Sequence, residues 1–484
     1  MGYDVFANVL DLTTMLRLRS SDPNAMNFNP SIAYIGQNLD NNYIYLYNYR
    51  SWRRFKDVNT QNYEGLIPNQ YNMNHPWYNA FLWKAVPNKA GRTENYDKTL
   101  FGLMVCNRDG MVLDFLHIPY EIEHGADARL IRLKNIKLNG KIAILCSYNT
   151  TISGPQLIEN GVSCDNGCVL IESIVIEVNL SGFDGVDLNT IIIKFNRPTI
   201  LCPEFSKKVE KNWSIFEHNN EIFFSYNVYP QHKVIGIGIT PDGTLICKSD
   251  TILEGCYYIN KFKEFFGSEF SISITTPLID SVLMPGYKLA VGHIKWVNNL
   301  TRQNQYWDFN LFDQMRSSHK LVSEYPWKYL FYFYYFNTTN GKIEIISDMF
   351  VMEPDSILCF PSGLETIPGT DTFLLTYGSE DFKAKTLLFR EEELLRNNFV
   401  KLNRCDDSTT GNIALVRIKE LVLLESEAIR LYNDDVGASE SGSKPPNDGQ
   451  NTTTPFDITE GATYTPFDII PKPEGAIESK RSQD

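Results

Sequence analysis

Positive charge is scarce in this chain. Its 45 Lys and Arg residues face 58 Asp and Glu, for a formal net charge of −13. A duplex nucleic acid needs a basic footprint to neutralise its phosphates, so it is not an expected partner. Long apolar runs are missing too. The longest apolar-aromatic stretch, Tyr329 to Phe336, is far shorter than the ~20 residues a bilayer span requires. The opening MGYDVFANVLDLTTML has no basic n-region, and Asp4 and Asp11 interrupt its apolar residues, so it does not read as a signal peptide. Residue 6 is Phe rather than Ser or Thr, which breaks the myristoylation pattern.

Cysteine is present without a framework. The nine residues, at 106, 146, 164, 168, 202, 247, 256, 359 and 405, are odd in number and irregularly spaced, which predicts reduced, mostly buried thiols. Cys164-Asp165-Asn166-Gly167-Cys168 has no second ligand pair at zinc-site spacing, so neither a metal nor a cofactor is expected. Together these features predict a soluble, cytoplasmic chain. Strict internal repeats are lacking and helical signals are few.

What the sequence does have is aromatic β-forming residues, 26 Tyr and 29 Phe among them. Strand patterns run over 43–50, 141–146, 171–178, 190–195, 233–240, 244–247, 288–297, 329–336, 342–347, 374–377 and 386–389. Turn signals punctuate them: Asn41-Asn42, Asn139-Gly140, Pro241-Asp242-Gly243 and Asn340-Gly341. Short strands with turns every ten or so residues indicate an all-β sandwich, barrel or propeller. Residues 390–398 predict one short helix. Residues 419–431 fit a helix or the continuation of a strand. Residues 51–95 read as a long loop, with Trp52, Trp77 and Trp83 either anchoring it or reaching over a ligand face.

From Asp434 on, the composition turns to Gly, Ser, Pro, Asn and Thr, with ten acidic and four basic residues, a net of −6. Such a segment cannot bury enough surface to offset its ordering entropy. Thr454-Pro455-Phe456-Asp457-Ile458 recurs as Thr465-Pro466-Phe467-Asp468-Ile469. The two copies read as linked docking motifs for a protein partner, or as drift within a linker. The expected organisation is an all-β body over 1–400, an extension packed on it over 401–433, and a disordered acidic tail over 434–484.

Two segments carry candidate chemistry. Lys211-Asn212-Trp213 sets a cation and an aromatic ring at the lip of a strand, a pairing suited to a sugar or phosphate, or else to a surface hairpin with a buried Trp. Ala126-Asp127-Ala128-Arg129 opens another strand, with its carboxylate and guanidinium two residues apart and so on one face. Three more segments complete a set: Phe28-Asn29-Pro30-Ser31-Ile32 before a Tyr-rich strand ending at Arg50, Tyr287 to His293, and Phe373 to Asp381.

In this order the five segments resemble the five-bladed β-propeller carbohydrate enzymes of the inverting mannoside-phosphorylase type (glycoside hydrolase family 130) and related mannosyltransferases. The resemblance spans about residues 28 to 396. It implies a single all-β five-bladed propeller with a short C-terminal helical segment and a disordered tail. It further implies transfer or phosphorolysis of a mannose-type glycosyl group, with Asp127 as general acid. Arg129, Lys211, Asn212, Trp213, His293 and Arg50 would bind substrate. The implied partners are an oligosaccharide or glycan and a phosphate or nucleotide sugar. Because phosphate is itself the nucleophile, one carboxyl group and a cationic clamp suffice, unlike the two carboxyls of ordinary inverting glycosidases. The family signature departs at two positions, where its acidic residue and its Pro are both Ala, 126 and 128. No Arg occurs between 149 and 170 to complete a phosphate clamp. These departures keep open a non-catalytic glycan-binding or scaffold propeller.

Overall fold

The computed structural model describes residues 9–19, 26–52, 97–123, 125–152, 168–180, 188–201, 212–253, 270–297, 327–350, 352–353, 359–379, 383–398 and 400–405. Lys211, the Trp-bearing loop after Trp52, residues 419–431 and the tail with its paired pentapeptides lie outside these residues.

The fold is an all-β five-bladed propeller with minor helical content. A first strand, β1 (Val9–Asp11), and a helix, α1 (Thr13–Arg19), precede the blades. Blade 1 is β2 (Met26–Gln37), β3 (Tyr43–Trp52), β4 (Asp97–Cys106) and β5 (Val112–Glu123). Blade 2 is β6 (Gly125–Leu138), β7 (Lys141–Ile152) and β8 (Cys168–Leu180), with β9 (Ile191–Phe195) and β10 (Thr199–Ile200) both on β8. Blade 3 is β11 (Ser214–His218), β12 (Glu221–Asn227), β13 (His232–Ile239) and β14 (Leu245–Leu253). Blade 4 places β15 (Phe270–Ile274) and β16 (Ile279–Asp280) on β17 (Tyr287–Val297), followed by β18 (Trp327–Asn337) and β19 (Lys342–Ser347). Blade 5 is β20 (Cys359–Thr366), β21 (Thr372–Ser379) and β22 (Lys383–Arg390). A short helix, α2 (Glu391–Leu395), and a last strand, β23 (Leu402–Arg404), follow. Every strand pairing is antiparallel, as hairpin connections require.

Two strands leave their own position in the chain. The N-terminal β1 pairs with β22, Leu10 opposite Thr386, and so completes blade 5. β23 adds to β19 at the outer edge of blade 4. The first strand of each blade faces the axis, where β2 packs on β6 and β20, and β6 packs on β11. Ring closure is polar at the axis: the Ser362 and Thr376 hydroxyls donate to the Pro30 carbonyl at 2.7 and 2.5 Å, from blade 5 to blade 1.

Five apolar clusters fill the five interfaces between blades, among them Tyr45, Tyr47 and Phe115 against Leu374 between blades 1 and 5, and Ile144 and Ile176 against Leu46 and Phe101 between blades 2 and 1. Burial of aromatic strand faces on both sides is what the Tyr- and Phe-rich sequence supplies. Cys106, Cys146, Cys359 and Cys405 are buried thiols outside any disulfide, as the spacing predicts. Cys247 departs from that expectation, being disulfide-bonded. Among the described residues no helix is long and apolar enough to cross a membrane.

One interface carries a pH dependence. His232 is fully buried between blades 3 and 4, its Nε2 2.7 Å from the Ser225 hydroxyl and its ring edge-on to Phe336. Burial pulls its pKa down to about 3. The folded protein thus holds a neutral imidazole where the unfolded chain binds a proton below about 6.5. Stability should be full above pH 6.5 and fall as pH drops toward 3. Between pH 7 and pH 5 the loss should be about 2 kcal/mol. Urea unfolding of wild type and His232→Gln at both pH values checks this: the variant should lack that part of the slope.

Candidate functional site

Three blades in sequence open their inner strands in the same unusual way. Asn29, Asp127 and Asn212 all have left-handed backbone, with φ of 47°, 53° and 64°. Asn and Asp are the non-glycine residues that enter this region most readily, because their short polar side chains can bond locally. At Asp127 the conformation coincides with a β-bulge between Ala126 and Arg129. A bulge re-aims the side chains on either side of it. Here it brings Asp127 and Arg129 together at the axis.

Asp127 is 7% exposed. Its Oδ1 accepts from Asn29 Nδ2 at 2.8 Å and from Arg50 Nη1 at 3.0 Å; its Oδ2 accepts from Asn149 Nδ2 at 3.5 Å. Burial alone would raise this carboxyl. The Arg50 guanidinium, the Asn29 hydrogen bond and the nearby Arg129 charge reverse that and hold it below the ordinary carboxylate range. Asp127 is therefore ionised at neutral pH.

Arg129 is 1% exposed and spans the centre. Its Nε donates to the Thr275 carbonyl of blade 4 at 2.5 Å, its Nη2 to Asn212 Oδ1 of blade 3 at 2.9 Å, and its Nη1 to the Asp127 carbonyl at 3.0 Å. Its guanidinium also lies 5.8 Å from the centre of the Phe360 ring of blade 5. Desolvation lowers its pKa to about 10, opposed by the Asp127 charge, which leaves it protonated. The ring of His293, from β17, is 5.8 Å from that of Phe360 and 5.7 Å from that of Tyr329, and the residue is buried.

Of the residues singled out by sequence, Asp127, Arg129, Arg50 and Asn212 form one hydrogen-bonded group, and His293 joins it through Phe360. Trp213 is placed elsewhere. It is 1% exposed, in the apolar cluster between blades 2 and 3, with its ring 5.0 Å from Tyr226 and 6.2 Å from Phe224. The sequence reading did not name Asn29 or Asn149 for the site. Their signal was faint: Asn29, Asp127 and Asn212 share only an Asn or Asp near the start of an inner strand. Asn149 and Asn212 head glycosylation sequons, yet both side chains are buried and bonded within the fold.

No family model matches the chain. No curated protein matches it either. Solved structures do. A β-1,2-mannobiose phosphorylase from Listeria innocua, in complex with β-1,2-mannobiose, aligns over 80% of this chain and 98% of its own at 10% identity and a TM-score of 0.40. A mannose phosphorylase from Leishmania mexicana, in complex with phosphate, aligns over 77% of this chain and 86% of its own at 9% identity and a TM-score of 0.35. A GDP-Man-dependent mannosyltransferase from the same organism aligns over 76% and 86% at 10% identity and a TM-score of 0.33. The likeness is one of fold. Among the described residues no group of three or more His, Cys, Asp or Glu is placed to hold a metal.

Proposed function

We propose that the chain is a carbohydrate-active propeller that transfers a mannose-type glycosyl group between an oligosaccharide and a phosphate or nucleotide, with Asp127 handling the proton. The observation that carries this reading is the convergence of Asp127, Arg129, Arg50 and Asn212 on the propeller axis. Beside Asp127, Asn149 Oδ1 and Asn29 Oδ1 are buried without a hydrogen-bond partner among the described residues. Unfilled buried amides beside a carboxylate suit a polyhydroxylated ligand, whose hydroxyls can both donate and accept. The choice of mannose rests on the sequence resemblance at these positions.

The electrostatics favour one direction of reaction. A general acid must begin its cycle protonated, whereas Asp127 is held ionised. As a carboxylate it suits the synthetic direction. It takes the proton of an acceptor hydroxyl, the acceptor oxygen bonds to the anomeric carbon, and the sugar–phosphate C–O bond breaks with its electron pair leaving on the phosphate. In the reverse direction the same residue, now protonated, returns the proton to the departing glycosidic oxygen as general acid. Lys211 and His293 would steady the phosphate.

A second reading, a glycan-binding or scaffold propeller without turnover, draws on the fact that Arg129 spends donors on the Thr275 and Asp127 carbonyls and on Asn212. A donor panel separates the two. Purified protein is given mannose 1-phosphate, GDP-mannose and their glucose analogues with mixed oligosaccharide acceptors, and products are read by mass spectrometry. Acceptor extension is expected, and the donor that works distinguishes phosphorylase from transferase. Glycan binding with no extension from any donor would establish the second reading.

A further inference from the structure

The proton-handling carboxylate of blade 2 is held by an amide that is itself held by blade 5. Asn29 is 3% exposed and has left-handed backbone. Its Nδ2 donates to Asp127 at 2.8 Å, and its Oδ1 makes no hydrogen bond among the described residues. The other side of Asn29 faces Gly378, on β21 and opposite Phe360 and Ala384 in the sheet. A Cβ built at Gly378 would lie 1.9 Å from Asn29 Oδ1 and 2.7 Å from the Asn29 backbone nitrogen. Neither separation is attainable, so any larger residue at 378 must displace the Asn29 amide and shift its backbone. Gly378 has no positive φ that would otherwise demand glycine. Its small size serves the close approach of blade 1.

We infer that Gly378 is a positioning residue for the axial carboxylate, acting through Asn29, which orients Asp127 for proton transfer. This rests on the role proposed for Asp127. The hydrogen bond matters because it is one of few groups facing that carboxylate: Asn29 from β2, Arg50 from β3, Arg129 from β6 and Asn149 from β7. Losing a donor to an ionised carboxylate weakens the ionised form, and a misplaced base loses rate steeply.

The test reads Asp127 directly. Its titration is followed by NMR in protein carrying 13C-labelled Asp carboxyls, with Asp127→Asn assigning the signal and no substrate present. Three variants are compared with wild type: Gly378→Ala, Asn29→Gly and the double variant. Glycine at 29 keeps the left-handed backbone while deleting the amide. Gly378→Ala and Asn29→Gly should each raise the Asp127 midpoint by about one pH unit. The double variant should match Asn29→Gly alone, because both changes act on one contact. An unchanged midpoint in folded Gly378→Ala overturns the inference, and so does an equal further shift on the Asn29→Gly background. If Gly378→Ala alone does not fold, recovery of folding in the double variant supports the inference, and if neither folds, an unchanged midpoint in Asn29→Gly overturns it. Should the midpoints move as expected while no variant and no wild type transfers sugar, the positioning contact stands and the catalytic reading of Asp127 falls.

Discussion

Arg129→Met should lower the unfolding free energy by about 3–5 kcal/mol, the largest effect expected of any single substitution at the axis. The guanidinium touches groups from four blades, its own among them. It bonds the Thr275 carbonyl, Asn212 Oδ1 and the carbonyl beside its own bulge, and lies against Phe360. Methionine keeps the length and fills the volume but supplies no donor. Three buried acceptors would then lose their partner, and each such loss costs about 1–3 kcal/mol. Among the described residues, the Asp127 carboxylate would also keep only Arg50 as a counter-charge. Arg129→Lys should fall between the two, since an ammonium cannot reproduce the planar fork. Denaturant unfolding followed by tryptophan fluorescence measures this. A loss below about 1 kcal/mol for Arg129→Met would mean that the axial network is not what joins the blades.

Asp127→Asn should reduce glycosyl transfer by about 10²–10⁴-fold, the range that a positioned acid–base group contributes. The substitution is chosen for the backbone as much as for the charge. At φ of 53° an alanine would be strained, whereas asparagine accepts the left-handed conformation that Asn29 and Asn212 already adopt. Its amide oxygen can still accept from Arg50 and Asn29, so the fold and sugar affinity should largely persist. It cannot take a proton. Rates of wild type and variant with the donor found in the panel, together with a thermal melt of each, make the measurement. Unchanged turnover would remove Asp127 from the chemistry. Loss of folding would assign it to the structure of the axis.

Much of the fold was readable because its turns are chemically explicit. Asn139-Gly140 joins β6 to β7, Pro241-Asp242-Gly243 joins β13 to β14, and Asn340-Gly341 joins β18 to β19, each flanked by strands close to the expected bounds. The expected helix at 390–398 is present as the shorter α2. β1 was not legible, since Val9–Asp11 is a strand only because blade 5 offers Leu387 to Lys385 as an edge. No local pattern marks such a tertiary pairing. The site was half legible. Asp127 and Arg129 stood out as an acid and a base on one strand face, and the geometry joins them. Trp213 could not be placed from sequence, because a ring beside Lys-Asn serves a lip or a core equally well, and the alternation Trp213, Ile215 against Ser214 points it into the blade interface. Asn29 and Gly378 were hidden because their meaning lies in a contact between the first blade and the last.

Completion of the ring by β1 imposes an order on assembly. Val9 emerges from the ribosome before any blade exists, yet its partner Leu387 is made only after four blades and most of the fifth. The earliest strand must wait unpaired through nearly all of synthesis, and blade 4 likewise waits for β23, which is made after blade 5. Blades 1 to 3 can acquire their sheets as they appear, but the ring cannot lock until β22 and β23 have been made. Its final closure is a late event, joining segments at opposite ends of the described chain, and such long-range pairing is intrinsically slow. Until then the edge of β22 stays open to any passing strand.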